Sequence, residues 1–148
     1  MKEEVYTVLN KHDGVEYTFF TSAMVRFATE LELPTRNVEI SMQAIQGILN
    51  GDTIEQAKLL KTELSDARPI VIVEWAPGQG HSIVDGNHRV ILKHLHGIHT
   101  HKAWVWPFGA WEPFSMTGRD IEVLFVKMVE LGISTGTDCW EGLWLNSP

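Results

Sequence analysis

The chain has 148 residues, which is enough for one domain with a hydrophobic core but not for two. Hydrophobic residues make up 44% and charged residues 21%, as in globular proteins, and no apolar run reaches the roughly 20 residues of a membrane span. The net charge of −7 disfavours DNA binding and favours a small ligand or a protein partner. The single cysteine excludes an internal disulfide, and the polar N-terminus lacks a signal-peptide core, so we expect a cytoplasmic protein without membrane contact.

The N-terminal part of the chain predicts a β-hairpin followed by a helix. Two β-prone runs, Val5–Leu9 and Val15–Phe20, flank an Asp-Gly turn. Thr21 or Ser22 can then cap a helix that extends to about Glu30.

A short strand and two helices are predicted next. Val38–Ser41 is strand-like, and Met42–Leu49 predicts a helix that Gly51 ends in the left-handed conformation. Asp52 or Thr53 is a candidate cap for the following helix.

The second half of the chain predicts a sheet with helices around it. Pro69–Trp75 is a continuous β-branched run, typical of a strand buried on both faces, and His81–Asp85 is the returning strand. A helix over His88–His96 and a strand over Lys102–Trp106 follow. After a loop, Arg119–Leu131 is an amphipathic helix with four residues inward, Ile121, Leu124, Phe125 and Met128. The fold class is therefore α/β (α+β), a compact mixed β-sheet flanked by helices.

The candidate site is the segment Asp85-Gly86-Asn87-His88-Arg89, where a strand passes into a helix. The unpaired amides and positive end of a helix N-terminus suit an anion, and Gly86 permits a tight turn and close approach of a ligand. Asn87 can cap the helix or donate to an oxyanion, and the planar fork of Arg89 matches a phosphate. His88 can donate a hydrogen bond or shuttle a proton, while Asp85 can hold Mg²⁺ or orient Arg89.

A purely structural explanation of this segment is also open. Asp85 would then cap the helix, Gly86 would turn the chain, and His88 and Arg89 would be solvated residues of the first turn. Two cationic residues at a helix N-terminus oppose the helix dipole, however, which favours a functional role.

A resemblance to a known superfamily is carried by three segments: Pro69–Val73, Ile83–Val90 and Leu95–Gly97. Together they resemble the ParB/sulfiredoxin fold over about residues 38–107, with an Asp-Gly-x-x-Arg box after a Pro-Ile-Val strand. In that superfamily the box and the helix start hold nucleotide phosphates. The resemblance implies ATP, CTP or a phosphorylated small molecule as ligand, accompanied by Mg²⁺.

Departures from the superfamily patterns narrow the expected reaction. Sulfiredoxins carry Gly-Gly-Cys-His-Arg, and because Asn87 stands at the position of the reactive cysteine, sulfinic acid repair is disfavoured. Partition proteins append a DNA-binding region, for which there is no room after Pro107. A serine kinase pattern, Asp-Gly-His-Thr-Arg, shares Asp85, Gly86 and Arg89 with this chain and implies phosphate transfer or hydrolysis.

Phosphoryl transfer assigns a role to each residue of the site. Asp85, His88 and Arg89 are the candidate catalytic residues, and Asp85 is also the candidate Mg²⁺ ligand. Glu39 or Glu30 is a candidate carboxylate base.

Two further groups of residues have structural explanations that we prefer. His94 and His96 point to different faces of their helix, while His99 and His101 can share one side of an extended segment, so a metal site is disfavoured. The aromatic loop 108–114 is expected to pack rather than to form a lid.

Residues 1–148 are therefore predicted to form one ParB/sulfiredoxin-like domain, with the N-terminal hairpin and helix and the C-terminal helix added to a core over about 38–107. An irregular tail is expected after Gly132. The leading function is binding of a nucleotide or phosphate, with possible hydrolysis or transfer. The alternatives are a non-catalytic protein-interaction module on the same fold and a ParB-like DNA nuclease or DNA-binding protein, which the acidic charge disfavours.

Overall fold

The computed structural model describes residues 4–51 and 62–133, and these residues form two β-sheets and four α-helices. In chain order the elements are β1 (Tyr6–Asn10), β2 (Val15–Phe19), α1 (Thr21–Glu30), β3 (Arg36–Glu39), α2 (Met42–Asn50), β4 (Ile70–Glu74), β5 (His81–Asp85), α3 (Asn87–Leu95), β6 (Thr100–Trp106), a 3₁₀ turn (Glu112–Phe114), β7 (Ser115–Thr117) and α4 (Ile121–Glu130). The predicted α+β class is confirmed. None of the helices in these ranges is long and apolar enough to cross a membrane.

The larger sheet is mixed and has the strand order β3-β6-β4-β5. β4 runs parallel to β6 and antiparallel to β5, so it lies inside the sheet with a neighbour on each side. Its residues from Ile70 to Val73 are all buried, which confirms the prediction of a strand covered on both faces.

The smaller sheet joins the predicted hairpin to a strand that sequence analysis missed. β1 and β2 pair antiparallel with Tyr6 opposite Phe19 and Asn10 opposite Val15, which confirms the hairpin. β7 adds to the free edge of β2, with Met116 opposite Thr18. Sequence analysis predicted a loop here, because a strand of three residues is too short to show alternation.

Each face of the mixed sheet has its own apolar cluster. On one face, Ile70 and Ile72 pack with Ile45 of α2 and Val90 of α3. On the other face, the side chains of β4 and β5 pack with α1 and with the smaller sheet, in a cluster that contains Phe19, Met24, Ala28, Val71, Val73, Trp75, Val84, Trp106 and Trp111. The smaller sheet therefore covers the mixed sheet on the side opposite α2 and α3.

At two helix ends the predicted cap is wrong: the N-cap residue of α1 and the backbone conformation after α2. The N-cap of α1 is Phe20, and neither Thr21 nor Ser22 caps the helix. Instead, Thr21 Oγ1 donates to the Glu4 carbonyl at 3.2 Å and Ser22 Oγ accepts from the Glu4 amide at 2.8 Å, because both hydroxyls face the segment that leads into β1. Gly51 follows α2 with φ −86°, so it is extended and not left-handed.

The interior face of α4 differs from the prediction at one position. Leu124 and Met128 are buried, but Ile121 is 44% exposed because it lies in the first turn, before the helix reaches the core. The predicted cap at Asp52 or Thr53 and the tail after residue 133 lie outside the described residues.

Candidate functional site

Gly86 forms the turn between β5 and α3, as predicted. It is the N-cap of α3 and has φ +100° and ψ 12°, a left-handed conformation that L side chains rarely adopt. A Cβ atom at this position would lie 2.5 Å from Ile70 Cγ2 and 2.9 Å from Arg89 Nη2. Both the backbone conformation and the close packing therefore require glycine.

The N-terminus of α3 has no side-chain cap. The Val90 amide donates to the Gly86 carbonyl at 3.0 Å, the hydrogen bond that closes the first turn of α3. The predicted caps, Asn87 and in the structural alternative Asp85, are therefore wrong. Asn87 is the first helical residue, is 6% exposed, and its Oδ1 atom is buried without a hydrogen-bond partner.

Arg89 is buried and connects α3 to the start of β4. Its Nη2 donates to the Pro69 carbonyl at 3.0 Å and lies 3.5 Å from Asp85 Oδ2, while its Nε is buried without a partner. The structural alternative of a solvated first-turn arginine is wrong, because only 8% of the residue is exposed. Arg89 therefore holds the strand-to-helix turn together from inside, and His88 beside it is half-buried.

A second arginine near the site, Arg68, lies two residues before the start of β4. Its side chain is 75% exposed and grips Asp66, with Nε 3.0 Å from Oδ1 and Nη2 2.6 Å from Oδ2. The hydrogen bonds from Arg68 lower the pKa of Asp66 to about 2. Burial raises the pKa of Asp85, and the charges of Arg89 and Arg68 oppose that rise.

These groups surround a cavity of about 560 Å³, within the size range of small-molecule sites. It is lined by Glu4, Tyr6, Thr62, Glu63, Ser65, Asp66, Arg68, Val84 and all five residues from Asp85 to Arg89. The structure thus brings the predicted segment together in one cavity. The lining from residues 4–6 and 62–66 was not predicted, because it comes from distant parts of the chain and carries no local motif.

The candidate bases lie elsewhere. Glu39 is on β3, at the edge of the mixed sheet opposite β5, and Glu30 is the exposed last residue of α1. Neither residue lines the cavity. The acids that do line it besides Asp85 are Glu4, Glu63 and Asp66.

The cavity offers Mg²⁺ carboxylate oxygens but no protein cage. Within the described ranges, no group of three or more His, Cys, Asp or Glu side chains is arranged to hold a metal ion. Asp85 as a single ligand fits Mg²⁺ all the same, because this ion often takes one or two carboxylates and completes its shell with phosphate oxygens and water.

One histidine contact is not predicted by the sequence: His94 Nδ1 lies 3.0 Å from His99 Nε2. His101 is 3% exposed, and its Nε2 is buried without a partner. Burial, reinforced by the charges of Lys93 and Arg89, lowers the pKa of His101 to about 4.

The aromatic loop packs against the sheets, as predicted. Trp111 is 3% exposed, and its Nε1 donates to the Glu74 carbonyl at 2.7 Å. The loop does not line the cavity at α3. An exposed surface rich in tryptophan, which a protein-interaction module would favour, is not found among residues 4–51 and 62–133, where Trp75, Trp106 and Trp111 are buried and Trp104 is half-buried.

The fold and the cavity together define an α+β protein with a candidate ligand site at a strand-to-helix turn. Comparison with protein-family models, with curated proteins and with solved structures finds no match to this chain. The resemblance to the ParB/sulfiredoxin superfamily therefore stays a prediction based on the sequence motifs.

Proposed function

We propose that this protein binds a phosphate-bearing small molecule, such as ATP or CTP, at the start of α3. The observation that carries the proposal is the uncapped N-terminus of α3 opening on a cavity that two arginines also line. The backbone N–H groups and the positive end of the dipole at a helix N-terminus attract anions. The resemblance to superfamily members whose box holds nucleotide phosphates supports the same ligand class.

Each residue of the segment has a distinct part in this proposal. Gly86 supplies the left-handed turn that starts α3 at the cavity, and backbone amides of the first helical turn donate to the phosphate oxygens. Arg68 is the mobile cation, since its mostly exposed guanidinium can turn from Asp66 to the ligand. Arg89 already donates a hydrogen bond to the Pro69 carbonyl, so its main part is to hold the turn in position, and Arg68 makes the first contact with the phosphate.

The balance of charges in the cavity favours a ligand that arrives with a cation. Among residues 4–51 and 62–133, four carboxylates and two guanidiniums line it, so an unaccompanied triphosphate would meet repulsion from Glu4, Glu63, Asp66 and Asp85. Mg²⁺ bound to the phosphates removes part of that repulsion and gives Asp85 a role as its protein ligand.

Hydrolysis or transfer of the terminal phosphate is the reaction that the Asp-Gly-x-x-Arg spacing favours. In the proposed reaction an acceptor oxygen, from water or a hydroxyl group, forms a bond to the terminal phosphorus and the bond to the bridging oxygen breaks. The nucleoside diphosphate leaves, and in this proposal His88 takes the acceptor proton as the general base. Arg89 and the helix amides stabilise the charge on the transferred group.

Ligand-dependent stabilisation tests the binding proposal. Thermal unfolding is measured with ATP, CTP, GTP and pyrophosphate, each with and without Mg²⁺, and we expect at least one to raise the Tm. If none of them does so at millimolar concentration, the proposal is wrong.

Two matched variants locate the binding site. Arg68→Ser removes an exposed arginine of the cavity, and Arg119→Ser removes one that pairs with Glu16 at 2.9 Å away from it. We expect Arg68→Ser to reduce the ligand-induced rise in Tm and Arg119→Ser to leave it unchanged. An equal rise in both variants would place the ligand elsewhere.

A further inference from the structure

A second cavity, of about 490 Å³, lies at the other end of the β4–β5 hairpin. β1 extends between the two cavities, since Tyr6 lines the first and Asn10 lines the second. The second cavity is lined by Asn10, Asp13, Tyr17, Trp75, Ala76, Gln79, Phe108, Trp111, Glu112, Ser115, Met116 and Thr117. Apart from Trp75, Ala76 and Gln79, which belong to the turn between β4 and β5, its walls come from the β1–β2 hairpin, the aromatic loop and β7.

Four aromatic rings form one side of this cavity. The ring centroid of Tyr17 lies 5.3 Å from that of Trp75 and 5.8 Å from that of Trp111, and Phe108 lies 5.9 Å from Trp111. The indole N–H groups are used elsewhere, because Trp75 donates to Ser82 and Trp111 donates to Glu74. Trp75 and Trp111 are 6% and 3% exposed, so they support the wall from behind, and its accessible surface comes from Phe108, 52% exposed, and from the half-buried Tyr17.

The charges in this lining are of one sign. Asp13 and Glu112 are its ionisable acids, and no Lys, Arg or His is among the described residues that line it. Asp13 Oδ2 accepts from the Tyr17 hydroxyl at 2.6 Å, and that bond together with one from the Val15 amide lowers the pKa of Asp13. The carboxylate is therefore ionised at neutral pH, and the cavity carries negative charge beside aromatic surface.

We propose that this cavity binds a small organic cation, namely a methylated or quaternary ammonium group. Such a cation gains from the negative faces of aromatic rings and from nearby carboxylates, yet it needs no hydrogen-bond acceptor for its methyl groups. A phosphate is disfavoured here by Asp13 and Glu112, so this site is chemically distinct from the one at α3. A neutral apolar ligand would leave both carboxylates unused.

The test compares choline with 3,3-dimethylbutan-1-ol, a neutral molecule of the same shape, on the full chain. Indole N–H signals are followed by NMR during each titration at constant ionic strength. We expect choline to shift the Trp75 and Trp111 signals saturably, with Trp104 and Trp106 as internal references outside the cavity. The alcohol is expected to bind at least about tenfold more weakly, since it lacks the cation–π and charge attraction.

Exposed residues of the cavity supply variants that keep the fold. Glu112→Gln and Phe108→Ala are each expected to raise the Kd for choline by about threefold to tenfold. Glu39→Gln, which removes an exposed acid on β3, is the matched control and should leave the Kd unchanged. The proposal is overturned if choline produces no saturable shift, if the neutral alcohol binds equally well, or if Glu112→Gln and Phe108→Ala both bind choline as the wild type does.

Discussion

At Gly86 the chain turns from β5 into α3 with φ +100°, and a Cβ atom there would lie 2.5 Å from Ile70 Cγ2. Gly86→Ala must therefore strain the backbone and also displace either Ile70 or Arg89. We expect it to lower the free energy of unfolding by about 2–4 kcal/mol, from left-handed strain and overpacking together. Urea denaturation followed by circular dichroism measures this loss.

A control at Gly97, at the opposite end of α3, separates the cost of backbone strain from the cost of overpacking. Its φ is +74°, but a Cβ atom there would meet nothing within 4 Å. Gly97→Ala should therefore cost only about 1–2 kcal/mol from strain. If the two variants lost equal stability, the close packing around Gly86 would not contribute.

His101 makes stability depend on pH in the mildly acidic range. Its pKa falls from 6.5 to about 4 in the folded protein, because it is buried and faces the charges of Lys93 and Arg89. Between pH 6.5 and about pH 4, His101 is therefore protonated in the unfolded chain but not in the folded protein. Its contribution to stability is fully present above pH 6.5 and is lost as the pH falls toward 4. The loss attributable to this one group is up to about 3 kcal/mol.

The measurement is the free energy of unfolding in urea across that pH window. His101→Gln should flatten the curve, whatever its effect at neutral pH. His96→Gln removes an exposed side chain and should keep the wild-type slope. A wild-type slope in His101→Gln would mean that another group causes the pH dependence.

At the scale of the elements, Arg89 ties α3 to the strand beside it through the Pro69 carbonyl and Asp85. Removing it leaves the half-buried Pro69 carbonyl and the half-buried Asp85 carboxylate without their cation. We expect Arg89→Ala to lower the free energy of unfolding at neutral pH by about 2–4 kcal/mol. For this reason Arg68, and not Arg89, gives the clean test of ligand binding.

The pH dependence of that loss identifies its cause. Burial raises the pKa of Asp85 and Arg89 opposes the rise, so the variant should raise this pKa further. A carboxyl group whose folded-state pKa is raised is tolerated below its unfolded pKa and costs stability as the pH rises through the folded pKa. The loss in Arg89→Ala, measured by urea denaturation, should therefore be smaller at about pH 4 than at about pH 7. An equal loss at both pH values would mean that only the bond to Pro69 matters.

The elements that the sequence predicts correctly are those that are determined by residues within the element itself. The alternating hairpin and the β-branched run of β4 carry their own patterns, and the turn at Gly86 follows from the residue itself. The cap at Thr21 or Ser22 was predicted wrongly because both hydroxyls bond to Glu4, 17 or 18 residues earlier in the chain. Contacts between residues far apart in the chain also bring Arg68 and Glu4 to the cavity, and no local sequence pattern predicts such contacts.

At the scale of the whole molecule, the two sheets share one apolar cluster. Phe19 of the smaller sheet is 0% exposed and packs with Val71 and Val73 of the mixed sheet. The hairpin thus fills one side of the same core as β4, although it precedes the segment over which the superfamily resemblance extends. The sheets are expected to unfold together, because neither face of the cluster is covered without the other.

Phe19→Ala tests whether that cooperativity is real. The lost ring should lower the free energy of unfolding by about 3–5 kcal/mol, which is a large share of the stability of a domain this size. Tryptophan fluorescence and far-ultraviolet circular dichroism should report the same shifted urea midpoint, since Trp75 and Trp106 lie in the cluster that the variant disrupts. Leu9→Ala, at a residue of the same hairpin that is 48% exposed, is the control and should cost about 1 kcal/mol or less. Two separate transitions in Phe19→Ala would instead mean that the mixed sheet holds its own core, and that the hairpin only covers it.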